Sequence, residues 1–202
     1  MAVRLLGRAD YEPVWRAMQD FTRERGPATA DELWFVEHPP VYTLGLAGRP
    51  EHVKDPGDTP VVRIDRGGQV TWHGPGQLIA YALVDLHRAR YGVKSLVERL
   101  EQSAIDLCAG YGIVAVRREG MPGVYDEAGA KLAAIGLRIS RGCSYHGIAL
   151  NVDADLAAFA RIDPCGYPGL AAARLSDRGV RDSMDRVRER WTPHLIDRLA
   201  PA

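Results

Sequence analysis

Apolar positions along the chain recur at two different periods, and the switches between those periods mark out its elements. After a short strand at residues 3–6, Tyr11, Val14, Met18 and Phe21 fall at helical spacing. They follow Asp10, a suitable cap, and Pro13 sits in the first turn, so a helix is expected over 11–24. Runs rich in β-branched and aromatic residues then predict strands at 33–37, 41–44, 61–64, 69–73 and 78–84. The Pro, Gly and Asp-rich stretch 48–60 between them reads as a long loop. Ser95-Leu-Val-Glu98 has the form of a capping box and predicts a helix to about Cys108, with Leu96, Leu100, Ala104 and Leu107 on one face and Gly110 and Gly112 at its end. Strands are expected again at 113–117, 123–126, 131–139 and 145–151, and a short helix at 155–161. Val180, Met184, Val187, Trp191, Leu195 and Leu199 form a last helical stripe, with a break expected at Thr192-Pro193.

Helices thus bracket a strand-rich middle with hairpin-like spacing, which predicts an α+β fold with a mixed, mainly antiparallel sheet flanked by helices. At 202 residues a single domain spanning 1–202 is expected. Neither G-x-x-x-x-G-K-[ST] nor a G-x-G-x-x-G following a strand is present.

Composition narrows the function classes. Lys plus Arg and Asp plus Glu are both 26, so no global field draws the chain to nucleic acid or to a membrane. The longest apolar stretch, Leu78 to Leu86, contains Asp85 and is too short to span a bilayer. The opening MAVRLLGRADYEPVW is interrupted by charge too early for a signal-peptide core, so a cytoplasmic location is expected. Three cysteines without C-x-x-C argue against a disulfide framework or a cysteine-rich zinc site.

Three segments carry candidate chemistry. The first runs from Arg66 to Gln77, RGGQVTWHGPGQ, two glycine clusters around a short strand. By the two-residue period Thr71 and His73 share a face and would bring a hydroxyl and an imidazole to a pocket. A hairpin with a satisfied core histidine reads equally well. In the second, GAKLAAIG at 129–136, Lys131 opens a strand of small apolar residues. Such a lysine commonly reaches out to solvent, whereas one in a desolvated pocket can serve as a base. The third, Asp163-Pro164-Cys165-Gly166-Tyr167, places a thiol in a rigid Pro/Gly loop whose N–H groups could stabilise an oxyanion. Cys108 falls on an apolar helix face, and Cys143 in an Arg141–Ser144 turn with an exposed position expected, which leaves Cys165 as the better nucleophile. His146, a strand histidine before Gly147, either faces the same pocket or is structural.

Taken together, these segments resemble the lipoyl(octanoyl) transferases. The resemblance begins at EHPPVYTLG (37–45) and runs through RGGQVTWHGPGQLIAY (66–81), KLAAIG (131–136), SYHGIALNV (144–152) and PCGYPGL (164–170), in the family's order and over about two-thirds of the chain. It implies a fold shared with biotin and lipoate ligases and with class II aminoacyl-tRNA synthetases. It also implies that Cys165 is the acyl-bearing nucleophile and Lys131 its acid/base partner. Substrate-lining positions would be Arg66, Gly67, Gly68, Gln69, Val70, Thr71, Trp72, His73, Ala134, Ile135, Gly136, His146, Gly147 and Ile148. The donor would be octanoyl-acyl carrier protein, with no ATP and no metal. The acceptors would be lipoyl domains of 2-oxoacid dehydrogenases and the glycine cleavage H protein, with no nucleic acid or membrane as partner and a monomer expected. Arg66, Arg138 and Arg141 would either meet an acidic carrier or form a solvated face. Cys143 and Ala173-Arg174 depart from the family's pattern, where Thr and Ser are common. An ATP-dependent ligase of the same fold, a Cys/His thioester hydrolase using His73 or His146, and a non-catalytic acyl-binding module are the competing readings.

Overall fold

The computed structural model describes residues 1–163 and 169–202. The centre of the fold is a strand, β10 (Cys143–Asn151), in which all nine residues are buried because both faces of the sheet are covered. It pairs antiparallel with β6 (Gln77–Leu83) on one side and with β9 (Lys131–Ser140) on the other. The β9–β10 connection is the two-residue turn Arg141-Gly142, with φ of 50° and 76°. Two positive φ values give the turn whose twist matches that of the flanking strands. The Arg141 side chain is spent on the carbonyls of Thr22 (2.7 Å) and Arg23 at the end of the first helix.

Outward from this centre lie β2 (Glu32–Glu37) and β1 (Ala2–Arg8) on one side, and β8 (Met121–Asp126) and β7 (Ala115–Arg118) on the other. The order is β1-β2-β6-β10-β9-β8-β7, and only β1 and β2 run parallel. A parallel pair needs a crossover, here supplied by α1 (Tyr11–Glu24). A second sheet holds β3 (Val41–Leu44) between β4 (Val61–Arg63) and β5 (Val70–His73). The mixed, mainly antiparallel arrangement expected from the strand spacing is the one found.

One face of the large sheet is sealed by α3 (Val93–Gly110) and α5 (Met184–Leu199). Leu96, Leu100, Ala104 and Leu107 meet Val187, Trp191, Leu195 and Leu199 over Leu33, Phe35, Ala80 and Ile148. Burial of each such large side chain is worth about 1.5–3 kcal/mol, so this layer is the main stabilising core. On the opposite face Val14 and Met18 of α1 pack on Trp34, Tyr81, Leu83 and Tyr145. Tyr42, Leu44, Val70 and Trp72 of the small sheet form a third cluster with Ala158 and Ile162.

Several boundaries differ from the sequence expectation. Helix α3 begins at Gly92 with no side-chain cap, and Ser95 lies inside it, its Oγ accepting from Arg99 Nε at 3.2 Å. The capping box is therefore not formed. A four-residue helix, α2 (Leu86–Ala89), precedes it, with the Asp85 carboxylate accepting from His87 and Arg88 N–H. The helix expected at 155–161 is reduced to α4 (Ala157–Ala160). Helix α5 runs unbroken through Pro193, and the Thr192 hydroxyl donates to the Arg188 carbonyl at 2.7 Å in that turn. Among the described residues no helix is long and apolar enough to cross a membrane.

Candidate active site

Between β5 and the β6-β10-β9 part of the large sheet lies a cleft of about 820 Å³, its open mouth included. Twelve of the fourteen expected lining positions border it: Arg66, Gly68, Gln69, Val70, Thr71, His73, Ala134, Ile135, Gly136, His146, Gly147 and Ile148. Gly67 and Trp72 do not. Gly67 N–H is tied to the Leu137 carbonyl at 2.8 Å. Trp72 points to the opposite face of β5 from Thr71 and His73, where its ring meets Phe159 edge-on at 5.6 Å. The cleft also takes Tyr11, Gln77, Ile79, Tyr81, Lys131, Ala149, Asn151, Phe159 and residues 170–172. Tyr11 falls on the apolar stripe of the first helix and Ile79 and Ala149 fall within expected strands, and nothing local in the sequence distinguishes a core side chain from one beside a cavity.

Lys131 opens β9 with its side chain turned inward and only 7% of the residue exposed. Its Nζ donates to the Pro122 carbonyl at 3.3 Å and stands 5.1 Å from the Tyr125 ring centroid. Its backbone is held on both sides by one neighbour segment: Lys131 N–H donates to Ala171 O at 2.8 Å and Ala173 N–H to Lys131 O at 2.9 Å. Residues 171–173, just downstream of Cys165 in sequence, thus form a parallel bridge with the start of β9. Cys165 itself lies outside the described residues.

A directed polar chain reaches the same place. His73 Nδ1–H donates to Gln77 Oε1 at 2.7 Å, and Gln77 Nε2 donates to Asn151 Oδ1 at 2.9 Å. Asn151 Nδ2 then donates to the Ala173 carbonyl at 3.0 Å. The amide orientations fix one another because the chain ends on a carbonyl, which can only accept. His38 Nδ1–H donates to Ala9 O at 2.6 Å, so its Nε2 accepts from the Tyr81 hydroxyl at 2.8 Å. The Tyr11 ring stacks on His73 at 5.6 Å.

Burial sets the charge state of these groups. It lowers His38 to about 4, against a weaker opposing hydrogen bond to Ala9. Burial likewise pushes His73 well below the usual histidine range, with His38 nearby adding to the effect. Burial also lowers His146, although its hydrogen bond to Asp65 works the other way. All three imidazoles are neutral at neutral pH and bring no charge to the cleft or its surroundings. Asp65 is the local anion. Burial opposes its charge, but donors from His146, Tyr145 and Gln19 outweigh that and hold it below the usual carboxylate range. It accepts from Trp15 Nε1 (2.8 Å), His146 Nε2 (3.0 Å), Gln19 Nε2 (3.0 Å) and the Tyr145 hydroxyl.

The other two cysteines are poor nucleophiles. Burial raises Cys108 to about 12. Cys143 is buried, contrary to the exposed position expected, because the turn is Arg141-Gly142 and Cys143 is already strand, bridged to Asp85. Burial raises its thiol too. Nor are Arg66 and Arg141 available to an acidic partner. Arg66 is buried, with its guanidinium on Thr43 O (2.8 Å), Thr43 Oγ1 (2.9 Å) and Gly67 O (3.0 Å). Arg138 is exposed.

Residues 10–195 match the model of the lipoyl protein ligase A/B catalytic domain. The chain is 58% identical over 202 residues to an octanoyltransferase of Azoarcus sp. (strain BH72), covering all of this chain and 88% of that one. In fold it is similar to a bipartite lipoate protein ligase from Thermoplasma acidophilum, with a TM-score of 0.78 at 18% identity over 98% of this chain and 84% of that one. It is also similar to the biotin protein ligase from Aquifex aeolicus, solved with biotin and ATP, with a TM-score of 0.59 at 13% identity over 98% and 70%. The match along nearly the whole chain, together with the identity to octanoyltransferases, places it in a family: the chain belongs to the lipoyl protein ligase A/B catalytic-domain family, on its octanoyltransferase branch.

Proposed function

We propose that the chain carries an octanoyl group from octanoyl-acyl carrier protein to a lysine of a lipoyl domain, with Cys165 as the acyl-bearing nucleophile and Lys131 as its proton acceptor and donor. The observation that carries this reading is the Lys131 amine, buried in the wall of an apolar cleft and backbone-bonded to the segment that follows Cys165 in sequence. A thioester donor is already activated, so the reading needs neither ATP nor a metal.

In the first half, Lys131 Nζ takes the Cys165 thiol proton and the thiolate attacks the thioester carbonyl. The carrier's thiolate leaves and is protonated by the ammonium. In the second half the acceptor lysine's amine attacks the acyl-Cys165 carbonyl. Lys131 removes the amine's proton, an amide forms, and the Cys165 thiolate departs to recover a proton. Exchange of one thioester for another is nearly even in energy, and conversion to the amide draws the sequence forward.

Intact-protein mass measurement after mixing with octanoyl-acyl carrier protein tests the assignment. One octanoyl group is expected on the native chain and on the Cys108→Ala and Cys143→Ala variants, and none on Cys165→Ala. An adduct at Cys143 would overturn it. Lys131→Ala is expected to slow both halves, and rates near those of the native chain would remove Lys131 from the mechanism.

A further inference from the structure

Nothing in the two half-reactions uses Glu101, yet it is a carboxylate on the apolar side of α3, only 5% exposed, between Leu100 and Ala104. Its Oε2 takes Arg117 Nε at 2.9 Å, and its Oε1 accepts from the Gly123 backbone N–H at 2.9 Å. Gly123 belongs to the same peptide unit as the Pro122 carbonyl to which Lys131 Nζ donates. In a trans peptide the N–H and C=O point in opposite directions. Holding the N–H on the Glu101 side therefore aims the carbonyl at the amine.

Gly123 is itself required by the same arrangement. Its φ is +134°, a conformation that residues with a Cβ rarely adopt. A Cβ there would stand 2.6 Å from the Ala133 carbonyl, 3.3 Å from Lys131 Cε and 3.5 Å from Lys131 Nζ. The register between β8 and β9 shifts just beyond it, between Val124 and Tyr125, and this shift sets Lys131 opposite Tyr125. Glycine thus leaves the space that the end of the lysine occupies.

We propose that Glu101 and Gly123 are positioning residues for the Lys131 amine, acting through the Pro122–Gly123 peptide. The buried carboxylate fixes that peptide's plane, its carbonyl holds Nζ, and the missing Cβ admits the lysine's terminal carbons. The charge on Glu101 also polarises the peptide and makes the Pro122 oxygen a stronger acceptor. This inference rests on the role given to Lys131 above.

The test is a double-mutant cycle read by single-turnover acylation of Cys165 from octanoyl-acyl carrier protein. Gly123→Ala and Glu101→Leu are each expected to lower the rate by about 100-fold, the usual consequence of misplacing a reacting group by an ångström, with the donor's KM unchanged. Glu101→Gln keeps an oxygen for the Gly123 N–H and should recover most of the loss. In a Lys131→Ala background neither Gly123→Ala nor Glu101→Leu should slow the reaction further. Equal losses in both backgrounds would show a merely structural role, and no loss in either would also overturn the proposal. Should Gly123→Ala fail to fold, the Glu101 variants decide alone. A Lys131→Ala enzyme with the native rate would instead sink the assigned role of Lys131, a different failure from a deficient Lys131→Ala beside normal Glu101 and Gly123 variants.

Discussion

The buried histidines near the cleft have a consequence for stability that can be read from pH. His38 titrates near 6.5 when exposed and near 4 in the folded chain, because burial disfavours its charged form. Between those values the unfolded chain binds a proton that the folded chain refuses, so stability falls as pH falls through this window. A shift of this size corresponds to something on the order of 3 kcal/mol, nearly all of it recovered above pH 6.5. His73 and His146 are lowered for the same first reason and add to the same slope. Asp65, held below its ordinary value, keeps its contribution above the usual carboxylate range and loses it as pH falls from there through its own lowered value. Thermal midpoints measured between pH 4 and 7 should therefore rise with pH. A His38→Gln variant should melt lower throughout but with a shallower pH dependence, and an unchanged slope would show that His38 does not titrate in this window.

At the level of elements, the helix starts offer a direct contrast. Ser183 caps α5, its Oγ accepting from Arg186 N–H at 3.3 Å, and Asp85 caps α2 with two such bonds. Ser183→Ala and Asp85→Ala should each destabilise the chain by about 1 kcal/mol. Ser95→Ala, inside α3, should change it by less than about 0.5 kcal/mol, as measured by denaturant midpoints. A loss at Ser95 equal to that at Ser183 would restore the capping box that the S-x-x-E pattern suggested. That pattern was misleading because two further residues, Val93 and Lys94, continue the helix backward to Gly92. The strands were more legible, since runs of β-branched and aromatic residues place most of them within a few positions. Helix α2 was not, because four residues are too few to show a period. The cleft was legible where its residues are contiguous, as in RGGQVTWHGPGQ. The polar network beside it was not legible, because it is gathered from distant parts: Asp65 takes Trp15 from 50 positions away and His146 from 81. No spacing rule in one sequence reports such a meeting.

For the molecule as a whole, the proposed transfer asks the cleft to hold an extended acyl chain along the central strands. From Lys131, β9 runs along the cleft past Ala134, paired with Ala149, to Gly136, paired with Gly147. At about 3.3–3.4 Å per residue that is about 17 Å of strand, longer than an extended eight-carbon chain. The residues along it are small where a chain would lie against them, and the cleft's imidazoles are uncharged. Arg66 Cδ stands where a Cβ on Gly136 would come within 2.7 Å, so the wall there cannot recede. Bulk added at Ala134 should therefore narrow the usable channel. Ala134→Leu is expected to lower the ratio of octanoyl to butanoyl transfer, as kcat/KM with the two acyl carriers, by about 100-fold, the equivalent of three or four methylenes at about 0.8 kcal/mol each. Butanoyl transfer should fall less, because a short chain meets the new side chain with fewer of its carbons. If both acyl lengths lose activity equally, Ala134 supports the strand without bordering the acyl chain, and the chain must run elsewhere in the cleft.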